Sequence, residues 1–492
     1  MYIDKLPEVF VSNKNTSNYL HRAIKDGSLK KIGPKLYTKN LTDEPKDIIK
    51  KYLWFIVSEY FPDGLISDRT AIEGKPSKDG TIYIISEKTR NIKIPGYLIK
   101  PRKGIGSLSS DHNFIDGLKI CSRERAFLEN MRESRVRNEV SSRTLSQKEI
   151  EEKFEGILRV SGEQSLNEIR DKAYKVVKEL GEEDLYNKLD KVIGLFFGTK
   201  QGEEKSELLL ARKKGIPFDP ERLALFQKLY STLKNTAPQS RIRINPSLQE
   251  KTNLSFFEAY FSNFIEGTEF EIEEAEEIIF ENKIVLDRPE DSHDVLGTFQ
   301  VISSLETTST KNNATADFFV ELLKKRHALI MEKRLEVHPG KFKRRANRAG
   351  STYFVDPQLV EGTLIKGFEF IKSLDCPLHK AIFTMFLITE THPFDDGNGR
   401  IARIMMNDEL IRHGEYPIII PIVYRNNYLS ALKTLSANGI TEPLIRVLDF
   451  AQKYTSKVDW SSLKAARMYL EKTNAFVDPQ RADFEGVRLT II

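Results

Sequence analysis

The sequence predicts a multidomain chain, with an α+β N-terminal region of winged helix-turn-helix outline and a mostly α-helical C-terminal half that carries one β-hairpin. Three observations lead there. Positive charge is concentrated at the start of the chain, where a short helical stretch precedes two strand-like runs. Alternating, strand-like segments follow and give out near Leu128. Beyond that point apolar residues recur at helical spacing, with one strand-like interruption between Gly340 and Pro357.

Among the first forty residues eight lysines and arginines stand against three acids, an excess equal to the +5 of the whole 492-residue chain. Asn18 to Lys25 reads as a helix with Tyr19, Leu20 and Ile24 inward, stopped by Asp26-Gly27. Leu29 to Ile32 and Leu36 to Thr38 then form a hairpin across Gly33-Pro34. Lysines in this arrangement would meet phosphates while the helix enters a major groove, which makes DNA the partner of this region; a solvated basic face on a protein-interaction module is the alternative. Ile48 to Tyr60 is helical, and Thr81 to Ile85 and Asn91 to Ile94 alternate as strands of a small mixed domain running from Thr70 to about Leu128. Arg132 to Lys148 is polar and reads as a linker. Leu166, Ile169, Ala173, Val176, Val177 and Leu180 keep helical spacing, as do Leu185, Leu189, Val192 and Phe196, with Gly181 between the two sets.

Asp219-Pro220 supplies an N-cap and a first-turn proline for a helix through Leu233. Ser255 to Gly267 is helical, with Ser262 and Glu266 one turn apart and Gly267 placed to end it. Helices follow at Glu271 to Asn282, His293 to Glu306 and Ala314 to Lys333; His327, amid apolar neighbours on the last, reads as a packed core residue without a catalytic role. Gly340 to Pro357, with a turn at Ala349-Gly350 and a strand-like Ser351 to Val355, fits a β-hairpin rich in cations (Lys341, Lys343, Arg344, Arg345, Arg348). Leu359 to Lys372, Leu378 to Thr389 and Ile401 to Ile411 are helical, and helices continue from Arg425 to Lys472. The expected divisions are 1–68, winged helix-turn-helix; 69–131, small α+β domain; 132–215, helical connector; 216–310, helices leading into the catalytic unit; 311–472, catalytic core; 473–492, tail.

Composition narrows the class. At 40% hydrophobic and 30% charged residues the chain reads as an ordinary soluble protein. Cys121 and Cys376 stand in unrelated contexts, so neither a disulfide framework nor a Cys-rich zinc site is expected. No run approaches the roughly 18 apolar residues of a membrane span, and the first residues lack an apolar signal segment, so a cytoplasmic protein without a membrane partner is expected.

The stretch His392-Pro-Phe-Asp-Asp-Gly-Asn-Gly-Arg-Ile-Ala-Arg403 has the composition of a phosphate site. Gly397 and Gly399 free the backbone to approach a ligand, so Gly397-Asn398-Gly399 can present successive N–H groups to an anion. The turn opens onto a helix, whose N-terminus adds orphan donors and partial positive charge. Arg400 and Arg403, three residues apart, can grip outer phosphates, and Asp396 can hold Mg²⁺, which favours one or two carboxylates plus phosphate oxygens. His392 titrates near neutrality and is the natural general base for a hydroxyl nucleophile.

These residues resemble the signature of Fic domains, HPFx(D/E)GNGRxxR, with all nine specified positions filled and Asp395 at the free one. The resemblance spans roughly residues 216–472. It implies transfer of AMP from ATP to a Ser, Thr or Tyr hydroxyl of a target protein or of the chain itself, with His392 deprotonating the hydroxyl. It further implies that Asp396 holds Mg²⁺, that Gly397, Asn398 and Gly399 cradle the phosphates, and that Arg400 and Arg403 orient the outer ones. Asn426, Asn427 and Tyr428 would face the nucleoside, and the hairpin around Gly350, Ser351, Thr352 and Tyr353 would act as a flap that docks the target by strand addition. Ser262-Asn-Phe-Ile-Glu266-Gly267 is similar to the family's inhibitory (S/T)xxxE(G/N) helix, in which Glu266 would take Arg403 and the γ-phosphate's place. Many family members dimerise, so the resemblance allows a homo-oligomer, while the sequence itself leaves the oligomeric state open.

Gly27-Ser-Leu-Lys-Lys-Ile-Gly33-Pro-Lys-Leu-Tyr37 is in turn similar to the winged helix of abortive-infection-type antitoxins. Two alternatives follow: a DNA-binding regulator with a silent Fic site, or a Fic enzyme that transfers another nucleotide or removes AMP.

Overall fold

The structure, a computed structural model, describes residues 6–13, 17–115, 117–134, 142–237, 239–308, 315–350 and 352–492. The chain forms two compact units, residues 1–213 and 214–492.

The first unit is a small α+β region. Strands Val9–Val11, Leu36–Thr38 and Lys30–Gly33 lie side by side in that order, all antiparallel, with helix Ser17–Lys25 between the first and the hairpin in sequence. The hairpin was legible; the strand Val9–Val11 was not, because three residues show no period. Leu20 and Ala23 are buried, whereas Ile24, expected inward, is 41% exposed. Three residues on from Leu20, Ala23 completes the apolar stripe, and Ile24 falls at its edge. Tyr19 lies outside the described side chains. The single helix expected at Ile48–Tyr60 is two, Pro45–Lys51 and Leu53–Tyr60.

A six-stranded mixed sheet follows in the order Ile92–Ile94, Tyr97–Arg102, Thr81–Ile85, Leu65–Ile66, Lys119–Ile120, His112–Asn113. Thr81–Ile85 pairs in parallel with Tyr97–Arg102, a strand that Pro101 hides from sequence reading. The polar stretch expected as a linker gives way at Ser146, whose hydroxyl and Glu149 form a capping box for helix Gln147–Leu180. That helix bends at Gly162, where φ is +74°, and ends at left-handed Gly181. Helices Glu183–Phe196 and Glu207–Lys213 complete the unit.

The second unit is mostly helical. Helices Pro377–Thr391 and Asn398–Arg412 are buried on nearly every side, the first through its apolar run Ala381–Ile388, the second with Arg400, Arg403, Asn407, Asp408 and Glu409 buried along with its apolar residues. Helices Pro220–Asn235, Leu248–Ile265, Pro289–Thr308, Ala316–Ile330 and Val360–Ser373 surround them and share one apolar core, in which Phe226, Phe257, Phe261, Phe319 and Phe383 are fully buried. The motif His392–Arg403 is therefore the turn between the two central helices and the first turn of the second. Its polar residues adjoin that buried core.

Arg348–Ala349 pairs with Thr352–Tyr353 across Gly350, where φ is +57°. Ser351 lies outside the described residues. Helices Arg425–Asn438, Glu442–Thr455, Leu463–Lys472 and Pro479–Glu485 close the unit, the last within a segment expected to be a plain tail. Both cysteines are free, and no helix among the described residues is long and apolar enough to cross a membrane.

Candidate active site

Helix Pro377–Thr391 ends at His392, which adopts a left-handed backbone with φ of +49°. This conformation is uncommon for a residue with a side chain and turns the chain sharply into the loop 393–397. The carboxamide of Asn398 closes that loop: its Nδ2 donates to the Phe394 carbonyl and its Oδ1 accepts from the Phe394 amide, each at 2.9 Å. Asn398 thus shapes the turn from inside. Gly397, with φ of +73°, precedes helix Asn398–Arg412, and no side chain caps the helix. Its first N–H groups remain available to an anion. Gly399 allows a second close approach, since a Cβ there would run into the Glu266 carboxylate.

The His392 ring is half-buried and lies parallel to the Phe354 ring at 3.8 Å. Its Nδ1 faces the Thr389 carbonyl at 3.3 Å; because a carbonyl only accepts, Nδ1 carries the proton and Nε2 keeps a free lone pair. Burial first, and the Lys343 charge second, push its pKa down to about 4, against the opposing pull of Glu266 and Asp396. The imidazole is neutral at physiological pH.

The two arginines are buried and already engaged. Arg400 Nη1 donates to Asp294 Oδ2 at 2.6 Å, and Asp294 also takes Arg334 Nε at 2.8 Å. Arg400 Nε is buried and has no acceptor among the described residues, which leaves a donor in reserve. Arg403 donates from Nε to Ser262 Oγ at 2.9 Å and from Nη2 to the Ser262 carbonyl at 2.8 Å and Glu266 Oε1 at 2.7 Å. Burial opposes its charge, but Glu266 and Tyr428 outweigh that and hold its pKa above the ordinary value. Ser262 and Glu266 stand at the end of helix Leu248–Ile265, with Glu266 as its C-cap and Gly267 beyond it at φ of +91°.

Asp396 is half exposed, 3.5 Å from Arg400 Nη2, while its neighbour Asp395 meets His338 Nδ1 at 3.0 Å. Among the described residues no group of three His, Cys, Asp or Glu could hold a metal alone. An exposed Asp396 carboxylate beside a helix N-terminus with no side-chain cap fits Mg²⁺ shared with phosphate oxygens and not a cage made of protein.

The structure gathers His392, Asp396, Gly397, Asn398, Gly399, Arg400, Arg403, Ser262 and Glu266 at one place. Tyr428 is also there, but buried at 1% exposure, its hydroxyl on Met385 Sδ at 3.4 Å. Asn427 instead is exposed and lines, with Tyr424, Asn426, Thr434 and Arg446, a surface pocket that no motif residue lines. On the hairpin, Tyr353 is 64% exposed and its carbonyl accepts from Arg222.

Sequence reading did not assign roles to Asp294, Lys343, Asn347 or Phe354, which have no motif, and it dismissed His327. That ring is fully buried, as expected of a core residue, but it stacks on Phe394 at 3.6 Å, its Nε2 lies 2.9 Å from the Asp396 carbonyl, and its Nδ1 accepts from the Gly340 amide at 2.9 Å. It therefore ties the stem of the hairpin to the motif loop. Burial pushes its pKa down to about 4, which keeps it neutral for that bridging pattern.

A family model described as Fic/DOC family matches residues 317–410, which include the motif but not Ser262 or Glu266. A protein adenylyltransferase Fic of Drosophila yakuba is 37% identical over 87 residues, 18% of this chain and 17% of that protein. Its counterpart in Drosophila willistoni is 36% identical over 95 residues, 19% of each. The chain thus spans less than a fifth of the length of these curated relatives. Among solved structures, a Fic-domain signalling protein of Bacteroides thetaiotaomicron is 18% identical, with a TM-score of 0.38 over 50% of this chain and 97% of that one.

Proposed function

With a Fic/DOC-family domain at residues 317–410 as the premise, we propose that this chain is a protein adenylyltransferase: it transfers AMP from ATP to a side-chain hydroxyl of a protein and is held inactive by Glu266. The observation that carries the reading is the pairing of Arg403 with Glu266 and Ser262 at the mouth of an uncapped helix N-terminus, beside a neutral histidine with a free Nε2.

In the reaction the target oxygen forms a bond to the α-phosphorus of ATP, the bond from that phosphorus to the bridging oxygen breaks, and pyrophosphate leaves. The hydroxyl proton passes to His392 Nε2. The N–H groups at the start of helix Asn398–Arg412 and the spare Nε of Arg400 meet phosphate oxygens, and Arg403 meets the terminal one once Glu266 has gone. Asp396 would hold Mg²⁺, which neutralises phosphate charge when bound. A single charge-assisted bond from Arg403 Nη2 to Glu266 Oε1, backed by the two bonds from Arg403 to Ser262, competes directly with a phosphate for the same guanidinium, so Glu266 leaves the γ-phosphate without its partner and the α-phosphate misaligned.

The test is mass spectrometry of wild-type and Glu266→Gly protein after incubation with ATP and Mg²⁺. The variant is expected to gain AMP on itself at least about tenfold faster, the size of effect that realignment of a bound substrate produces. Equal labelling of the two proteins would remove the autoinhibition, and absence of labelling in both would remove the transferase reading.

A further inference from the structure

Lys343 is 3% exposed, and among the described residues no carboxylate makes an ion pair with it. Its ammonium donates to Asn347 Oδ1 at 2.6 Å and to the Thr391 carbonyl at 3.4 Å. Its backbone amide donates to the Pro393 carbonyl at 2.9 Å, and Asn347 Nδ2 donates to the Phe394 carbonyl at 3.0 Å. The residues on both sides of His392, Thr391 and Pro393, are thus held by one lysine. Asn347 also accepts, through its carbonyl, from the Phe354 amide at 3.3 Å, and Phe354 is the ring stacked on His392.

Burying an ammonium without a carboxylate is costly, and burial pulls Lys343 down to about 8, with Asp356 and Asp395 opposing from a distance. A methionine or glutamine of similar length would fill the same space without that cost. Packing therefore does not explain the charge. Its position does: the ammonium reaches one carbonyl of the His392 turn and one carboxamide of the hairpin stem, and a cation there also disfavours a second cation on the imidazole.

Resting on the reading of His392 as the base, we propose that Lys343 is a positioning residue that locks the His392 turn and the hairpin stem into one unit, so that the imidazole meets the target hydroxyl in a single orientation.

The test uses the full chain carrying Glu266→Gly, with ATP and Mg²⁺ and self-labelling as the probe, and adds Lys343→Met, Lys343→Arg or Asn347→Ala. Lys343→Met is expected to lower the rate at saturating ATP at least about tenfold while half-saturation by ATP stays within about twofold, because nucleotide binding does not use this residue. Lys343→Arg, which keeps charge and donors, restores the rate to within about threefold. Asn347→Ala, which leaves the lysine in place, gives an intermediate loss. Hydrogen exchange read on the same proteins is expected to quicken at residues 347–354 and 391–394 in Lys343→Met but not in Lys343→Arg.

Lys343→Met at the parent rate, equal losses in Lys343→Met and Lys343→Arg, or unchanged exchange in Lys343→Met would each overturn the proposal. If the Glu266→Gly parent transfers no AMP, the transferase reading falls while the exchange result still decides the clamp.

Discussion

Both units bury arginines, but they treat them differently. In the N-terminal unit Arg125 is fully buried, with Asp111 Oδ2 at 2.5 Å, Glu129 Oε1 at 3.1 Å and the Ile105 and Gly106 carbonyls as acceptors. Arg102 grips Asp68 with two nitrogens and reaches Glu129 at 2.6 Å. These charges form a network closed by carboxylates and carbonyls. In the C-terminal unit, among the described residues, Arg400 Nε has no acceptor and Lys343 makes no ion pair with a carboxylate, while Arg403 is held partly by Glu266, whose side chain is 31% exposed. The difference lies in the partners: Arg125 and Arg102 are tied to buried carboxylates, whereas the carboxylate on Arg403 is partly exposed and Arg400 keeps a donor with no acceptor among the described residues.

The comparison can be broken in several ways. The largest effect is expected from His392→Ala in the Glu266→Gly protein, which should lower AMP transfer by about a thousandfold, within the range for loss of a general base; labelled ATP measures it, and a loss below about tenfold would take the base role from His392. Arg125→Met should instead destabilise the N-terminal unit by about 3–5 kcal/mol, because Asp111 and Glu129 would be left buried without their cation. Denaturant unfolding reads that loss, and labelling by the Glu266→Gly protein under folding conditions should stay within about twofold. Ser262→Ala removes the acceptor of Arg403 Nε and should loosen the inhibitory hold by about 1 kcal/mol, a rise of about fivefold in AMP transfer by otherwise wild-type protein. No rise would show that Glu266 alone holds Arg403.

The smallest effect concerns pH. With His392 at about 4 in the fold against 6.5 for an ordinary histidine, kcat/KM of the Glu266→Gly protein should run flat from pH 7 to about 5, below the range in which Lys343 loses its proton, and removal of Glu266, which pulls the pKa upward, moves the acid limb lower still. A limb near 6.5 would mean that the ring is solvated. For stability the sign is that of a base with a lowered pKa: the contribution of His392 and His327 is complete above about 6.5 and is lost as pH falls toward 4, since the unfolded chain binds the protons first. A melting temperature that fails to fall over that interval would contradict their burial as neutral rings.

How far sequence reading reached depended on whether a residue's role is local. The helices of the second unit appeared at nearly their observed positions because apolar spacing repeats over many turns, as in Pro377–Thr391. Leu65–Ile66, His112–Asn113 and Lys119–Ile120 did not appear, because two residues carry no period and their pairing is made by neighbours distant in the chain. Asn398 was assigned to the phosphates from its place in the motif; the structure adds that its side chain is spent on the loop itself. Asn427 shows the opposite limit, since adjacency to Tyr428 in sequence did not bring the two side chains to the same face.

The sequence by itself determined the chemistry of the turn: a histidine, a carboxylate, a glycine-bounded helix start and two arginines within twelve consecutive residues, whose mutual distances the backbone constrains whatever surrounds them. It also determined that Ser262 and Glu266 share a helix face. Only the tertiary structure decided which partners those groups meet. Arg403 meets Glu266 and Arg400 meets Asp294 across sequence gaps of 137 and 106 residues, and Lys343 reaches the His392 turn across 48. Contacts at such separations are selected by the packing of whole helices around one core, and no local pattern encodes them.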